Sequence, residues 1–462
     1  MRRPEKVKMT IVGAGSLSFC PVVLCDILLS DRLGEVPLEI CLMDISEQAL
    51  LVSKAFALKA MAASGRSPGL TTTISLEKAL EGADFVIAAI EVNRYHYWSI
   101  DFHIPRRYGF RQVYGENGGP AGAFHTLRNI GPMLEIAKAM ERLCPDAWLI
   151  NFTNPEAKLV EAISKLSSIK VVGLCHGITS GFAQLSALLE MPAEELETAA
   201  CGMNHFGWFQ TIKHKKTGED LYPLLREKEA KARWLSQWDD IAMSRLMLRT
   251  YGLWPYPGTN HYGEYIGWAD EFLASSHLQY FFDPAEGEPW KTGKIPTFVY
   301  NLNFPVTAMP LFAQKDEKIA IPEYEDRFQF ADGKLTKSRE AAIPIIEAIA
   351  FDIETPIVTV NLPNKGKIPG LPDELVVELP AVADGAGIHP RQMEPLPEAV
   401  TAMLRTQGSI QKLIIEAYTE QSRYKLLQAV LLDPTVSTYT NAVAMINDMC
   451  ELQKEILPPL YW

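Results

Sequence analysis

The sequence predicts an α/β protein, a Rossmann-like doubly wound parallel sheet followed by an α+β second domain. Three observations carry the prediction. Short apolar runs rich in β-branched residues alternate with stretches of helical length through the first part of the chain. A Gly13-Ala14-Gly15 turn follows the first of those runs. Near residue 195 the alternation stops and aromatic, proline-rich segments take over, which divides the chain into residues 1–195 and 196–462.

Taken in order, Val7–Val12, Leu38–Met43, Phe85–Ile90, Trp148–Phe152 and Val171–Leu174 read as buried strands, being short and apolar. Phe19–Leu29, Ser46–Ala63, Leu127–Leu143 and Glu156–Leu166 have helical length and period. Such alternation lays strands side by side in parallel with helices on both faces. Thr198–Lys213 reads as a strand pair or one long strand, and Pro223–Leu248 as a charged helical segment. Tyr251–Trp268 is a loop dense in Tyr, Trp, Pro and Gly. Val358–Leu362 and Glu374–Leu379 are expected strands in a proline-rich stretch, and Glu398–Leu457 returns to helix.

With 462 residues the chain has room for two to three domains. Its net charge of −12 argues against a nucleic-acid partner, since phosphate neutralisation needs a basic face. The seven cysteines form an odd set without framework spacing, which points to a reducing compartment and a cytoplasmic location. The apolar run Leu17–Leu29 carries Pro21 and Asp26, so neither a signal peptide nor a membrane span is expected.

Gly13-x-Gly15 sits between a strand and a helix, where a dinucleotide fingerprint belongs; Ser18 and Phe19 stand where the third glycine is usual. The first two glycines permit the tight turn and the close approach of a pyrophosphate. The turn alone is equally consistent with a plain βα connection. Asp44, ending the second strand, tips the reading, because a carboxylate there holds ribose hydroxyls and favours NAD over NADP. Gly13, Gly15, Ser16, Asp44 and Asn93 are the candidate cofactor-binding residues.

Cys175 closes a strand and so projects at the carboxyl edge of the sheet, where ligands bind in this architecture. His205 follows within Gly202-Met203-Asn204-His205. A thiolate and an imidazole can hold a divalent metal with positions left open, although a buried thiol and a hydrogen-bonded histidine would leave the same pattern. Asn151-Phe152-Thr153-Asn154-Pro155 ends the preceding strand and brings amides to the same crevice. Gly115-Glu116-Asn117-Gly118-Gly119 leads into a helix whose N-terminus can meet an anion or a sugar.

Together these segments resemble glycoside hydrolase family 4, the glycosidases that require NAD and manganese. The matching pieces are Val12–Ser16, Gly82–Ile87, Asn154-Pro155, Cys175-His176 and Gly202–His205, then His261-x-x-Glu264-Tyr265 and Val360–Pro372. Residues 115–128 depart from the family pattern: Gly118-Gly119 is followed by Pro120, and the helix reads His125-Thr126-Leu127-Arg128. The resemblance implies a dehydrogenase-like fold of the lactate and malate kind, NAD and Mn2+ as cofactors, and a homodimer or homotetramer. It makes Cys175 and His205 the metal ligands, Asn154 and Asn117 substrate contacts, and Tyr265 the base, with Tyr262 as rival. His176 becomes a proton donor or sugar contact, and His261 a second candidate for either task.

The implied reaction is a redox-assisted elimination, and retaining or inverting carboxylate pairs are not used. Oxidation at C3 acidifies the C2 proton, a base removes it, the aglycone leaves C1, water adds and the hydride returns. By donor softness alone a thiolate and an imidazole suit zinc, and only the resemblance points to manganese. Cys175-His176 is similar to the branch acting on unphosphorylated α-glycosides, and Gly177-Ile178 to its uronidases, so an α-glucuronide or α-galacturonide is the first expectation. A uronate favours a guanidinium partner, for which Arg94, Arg106, Arg107 and Arg111 are available. The alternatives are an α-galactosidase or α-glucosidase of the same mechanism, or an NAD-dependent dehydrogenase of a small hydroxy acid.

Overall fold

Six strands pair in parallel in the order β3-β2-β1-β4-β5-β6: β1 (Val7–Val12), β2 (Leu38–Met43), β3 (Gly69–Thr73), β4 (Phe85–Ala88), β5 (Trp148–Asn151) and β6 (Lys170–Gly173). This is the doubly wound order that the sequence predicts. The structure is a computed structural model and describes residues 4–16, 19–231, 241–272, 330–331 and 334–462. Helices α1 (Cys20–Leu29), α2 (Glu47–Ser64), α3 (Leu76–Leu80), α4 (Arg94–Arg107), α5 (Gly119–Leu143), α6 (Glu156–Leu166) and α7 (Gly177–Leu189) belong to this first part of the chain.

The strands bury side chains on both faces, which is why they read as continuous apolar runs. On one face Met9 and Ile11 meet Val23, Leu24 and Ile27 of α1 and Phe56 of α2. On the other, Val86 and Leu149 meet Met133 of α5 and Leu159 and Ile163 of α6. Local signals set the ends of α2: the Ser46 hydroxyl accepts from the Ala49 N–H, and Gly65 takes the left-handed backbone past its last turn.

Beyond α7 come β7 (Leu196–Met203), β8 (Phe206–His214), α8 (Tyr222–Lys231), α9 (Ala242–Tyr251), β9 (Trp254–Pro255) and α10 (Thr259–Gly263). They are followed by β10 (Phe330–Ala331), β11 (Lys334–Leu335), α11 (Ala342–Phe351), β12 (Thr355–Pro363), β13 (Val376–Asp384), β14 (Gly387–Pro390), α12 (Glu398–Thr419), α13 (Arg423–Leu432) and α14 (Tyr439–Leu452). The main sheet continues past β6 as β12-β13-β7-β8-β9, with β14 on β13. Its two joints are narrow, Gly173 opposite Asn361 and Gly202 opposite Glu378. Strands from both sides of residue 195 therefore share one sheet, and the joints fall beside Cys175 and His205.

The expected strand pair at Thr198–Lys213 is the β7–β8 hairpin, and the last helical stretch divides into α12, α13 and α14. The expected helix Pro223–Leu248 divides into α8 and α9, with residues 232–240 outside the described ones. Several elements differ from the sequence reading: α7, α11 and β14 are absent from it, the expected loop Tyr251–Trp268 holds β9 and α10, and three others differ for local reasons. Polar Gly69–Thr73 forms the edge strand β3, where water can meet one side. Aromatics, charges and Pro105 obscure the helical period of α4. Helix α5 begins at Gly119 instead of Leu127, because Pro120 fits a first helical turn whose N–H groups lack partners. Among the described residues no helix is long and apolar enough to cross a membrane.

Candidate active site

Strand β1 runs into Gly13, which adopts φ +83°; a Cβ there would stand 2.3 Å from the Ala89 carbonyl oxygen. A Cβ on Gly15 would stand 2.6 Å from the Cβ of Ala49. Only glycine fits either position, so bare backbone faces the crevice, as approach of a pyrophosphate requires. Asp44 accepts from the Gly15 N–H at 2.8 Å and from the Ser46 N–H at 2.9 Å. An ionised carboxylate offers about four acceptor sites, so capacity for a ribose hydroxyl is left. The Ser16 hydroxyl accepts from the Phe19 N–H, and Asn93, exposed in the left-handed region at φ +42°, precedes α4 beyond β4. The candidate cofactor residues thus gather beyond the carboxyl ends of β1, β2 and β4, and the cradle fits a dinucleotide.

The second half of the crevice forms at the sheet's narrow joints. Asn154 follows β5, Cys175 follows β6, and His205 sits in the β7–β8 turn at φ +62°. Buried Asn117, from the loop before α5, links them. Its Nδ2 lies 2.8 Å from His205 Nδ1 and 3.4 Å from the side-chain oxygens of Asn154 and Asn204. The Tyr265 hydroxyl donates to the Asn204 carbonyl at 3.4 Å, and Asn204 Nδ2 donates to Glu378 at 3.4 Å. Cys175 Sγ accepts from the Gly177 N–H at 3.3 Å and has the Asn204 side chain as a further partner. Asn117, Asn154, His205 and Tyr265 therefore belong to one hydrogen-bonded network, with Cys175 on its margin. With its amide turned so that oxygen meets the ring, Asn117 would accept a proton from Nδ1 and leave the Nε2 lone pair to a metal.

Burial dominates the electrostatics. It pushes the Cys175 thiol up, with Glu378 adding to the effect, and holds the Tyr265 phenol well above its ordinary value, with Glu264 and Glu116 adding to it. A bound cation reverses both effects, so the donors suit a metal that they do not yet favour alone. Cationic help for Tyr265 is already near. Lys158 donates to the Asn117 carbonyl at 2.6 Å and lies 5.6 Å from the Tyr265 ring centre, and burial lowers its pKa to about 8. Tyr262 is buried at 2.9 Å from the Ser244 hydroxyl, in a core cluster.

His176 precedes α7 with its side chain 65% exposed, 3.5 Å from Glu340, whose carboxylate raises its pKa. The His261 ring lies tilted against that of His205, 4.2 Å between centres, and burial lowers its pKa to about 4. Of the four arginines, Arg94 pairs with Glu91 at 3.2 Å and with Glu116, Arg106 donates to the Gln112 carbonyl, and Arg111 pairs with Asp270. Arg107 is exposed at the end of α4.

Sequence reasoning does not single out Glu116, Lys158, Asn204, Glu264 or Glu378, although the first four lie within or beside its motifs. Glu264 is the informative case. Buried, it accepts from the Glu116 and Asn117 N–H groups, and desolvation raises its pKa to about 8. The unfolded chain titrates this group near about 4.3. Its stabilising effect is therefore complete below that pH and is lost as pH rises toward 8. Calorimetric Tm of the parent should fall relative to Glu264→Gln between about pH 5 and pH 8. Parallel curves would contradict the buried neutral carboxyl.

The family 4 glycosyl hydrolase model matches residues 8–191, and the family 4 glycosyl hydrolase C-terminal domain model matches residues 200–436. An α-galactosidase of Bacillus subtilis (strain 168) is 31% identical over 98% of this chain and 99% of its own length. An α-galacturonidase of Thermoanaerobacter italicus is 27% identical over 98% of each chain. Among solved structures, a 6-phospho-α-glucosidase from gut microorganisms in complex with NAD and Mn2+ aligns with TM-score 0.76 and 24% identity, covering 99% of this chain and all of that one. A malate dehydrogenase of Plasmodium falciparum in complex with NADH aligns with TM-score 0.51 and 14% identity over 90% of this chain and 99% of that one, in keeping with the dehydrogenase-like fold.

Proposed function

Because this chain belongs to the family 4 glycosyl hydrolases, we propose that it cleaves unphosphorylated α-glycosides, α-uronides first among them, with NAD and Mn2+ as cofactors. The observation that carries the reading is the single network of Asn117, Asn154, Asn204, His205 and Tyr265, beside Cys175 and on the same sheet edge as the Gly13–Gly15 cradle. Bound NAD supplies a reversible hydride acceptor for C3 of the sugar, and the cation a Lewis acid for its oxygens.

The chain's own residues then divide the work. Cys175 and His205 would hold the cation. Asn154 orients a sugar hydroxyl, and Tyr265 receives the C2 proton. Lys158, fixed on the Asn117 carbonyl, adds positive charge that favours the phenolate. His176, exposed and with its pKa raised by Glu340, can protonate the departing oxygen or face a uronate carboxylate. The α-galactosidase likeness favours a second reading, a neutral α-hexoside of the same mechanism.

The test is nitrophenol release from aryl α-glucuronide, galacturonide, galactoside and glucoside, each with NAD, Mn2+ and thiol and then with each omitted. Cleavage of a uronide that vanishes without NAD or metal, yet leaves no net NADH, is the expected result. Cleavage of the neutral glycosides alone would favour the second reading. Net NADH from a small hydroxy acid, without glycoside cleavage, would overturn both.

A further inference from the structure

Three side chains from separate elements converge beside the network. Glu116 comes from the loop before α5, His205 from the β7–β8 turn and His261 from α10. One ligand atom of each lies within 4.8 Å of the others, and among the described residues this is the one group of three or more His, Cys, Asp or Glu gathered so closely. Cys175 is not a member. His261 Nδ1 is buried and has no hydrogen-bond partner, an unusual state for a ring nitrogen beside other polar groups. The Arg94 guanidinium takes Glu116 Oε1 and steers the carboxylate, as outer partners do for metal ligands.

We propose that Glu116 and His261 join Cys175 and His205 as ligands of the divalent cation. The proposal rests on the reading that the chain uses a metal, and it changes what the protein offers it. A carboxylate oxygen and a second imidazole nitrogen make the set harder than the thiolate and imidazole alone, and so suit it to Mn2+ where that pair suits zinc. With four protein ligands, a six-coordinate cation would keep two positions for sugar oxygens. His261 then serves the metal, and the leaving group is left to His176.

The test uses the full-length protein stripped with a chelator, and Mn2+ alone as the probe. Mn2+ affinity is measured by spin resonance of the free ion for the parent, His261→Gln, Glu116→Gln and Cys175→Ser, with NAD binding and circular dichroism reporting the fold. Both His261→Gln and Glu116→Gln should weaken Mn2+ at least about tenfold. Electron spin-echo modulation of Mn2+ bound to the parent should show two imidazole nitrogens, and one in His261→Gln. Should Glu116→Gln misfold for want of an Arg94 partner, the histidine variant and the nitrogen count decide. Parent affinity retained within threefold in folded His261→Gln, or one imidazole in the parent, overturns the proposal while leaving metal use intact. A parent that binds no Mn2+ overturns the metal reading as well.

Discussion

Tyr265→Phe should lower kcat about 100- to 10,000-fold, the usual worth of a positioned general base, while leaving the fold and NAD binding unchanged. The structural cost is small because the hydroxyl makes one long bond, 3.4 Å to the Asn204 carbonyl, and the ring keeps its stacking on Phe206 at 4.8 Å. Burial among carboxylates holds this phenol well above the ordinary tyrosine range. Ionisation therefore depends on Lys158 and on a bound cation. The rate of the parent should accordingly rise with pH where that of Tyr265→Phe is flat. Activity of Tyr265→Phe within threefold of the parent would remove the residue from the chemistry and return Tyr262 as a candidate.

His205→Asn should be nearly as damaging, with kcat/KM falling about a thousandfold, the scale of several kcal/mol of Lewis-acid stabilisation. Asparagine is the variant of choice because His205 occupies the left-handed region at φ +62°, which asparagine tolerates better than alanine does. The hairpin should survive, and a melting temperature close to the parent's would show it. The Asn117 amide loses its ring partner, so a modest drop in stability accompanies the loss of rate. Cleavage surviving within tenfold, at unchanged Mn2+ dependence, would take the metal away from His205.

Much of the fold and part of the site are legible in the amino-acid sequence. The strands of the parallel half are covered on both faces, so each leaves a continuous apolar run, and Gly13 and Gly15 mark a backbone that admits no Cβ. The proposed base Tyr265 and the proposed metal ligands His205 and Cys175 lie in short motifs that the sequence displays. The rest depends on neighbours remote in sequence. The joints at Gly173–Asn361 and Gly202–Glu378 consist of single residue pairs, too brief to impose a local pattern. Helix α4 hides behind aromatics and Pro105. Lys158 looks like any helical lysine until the fold buries it against Tyr265, and Glu116 looks like a loop residue until His205 and His261 close on it.

The central claim is that the glycosidic bond breaks by removal of the C2 proton. Hydrolysis of a cleavable α-glycoside in deuterium oxide tests this most directly, with the released sugar followed by proton NMR. The account predicts deuterium at C2 of the product and, for a C2-deuterated substrate in ordinary water, loss of that label with turnover. A product that keeps its original C2 hydrogen throughout would mean direct displacement at C1, and would contradict the account.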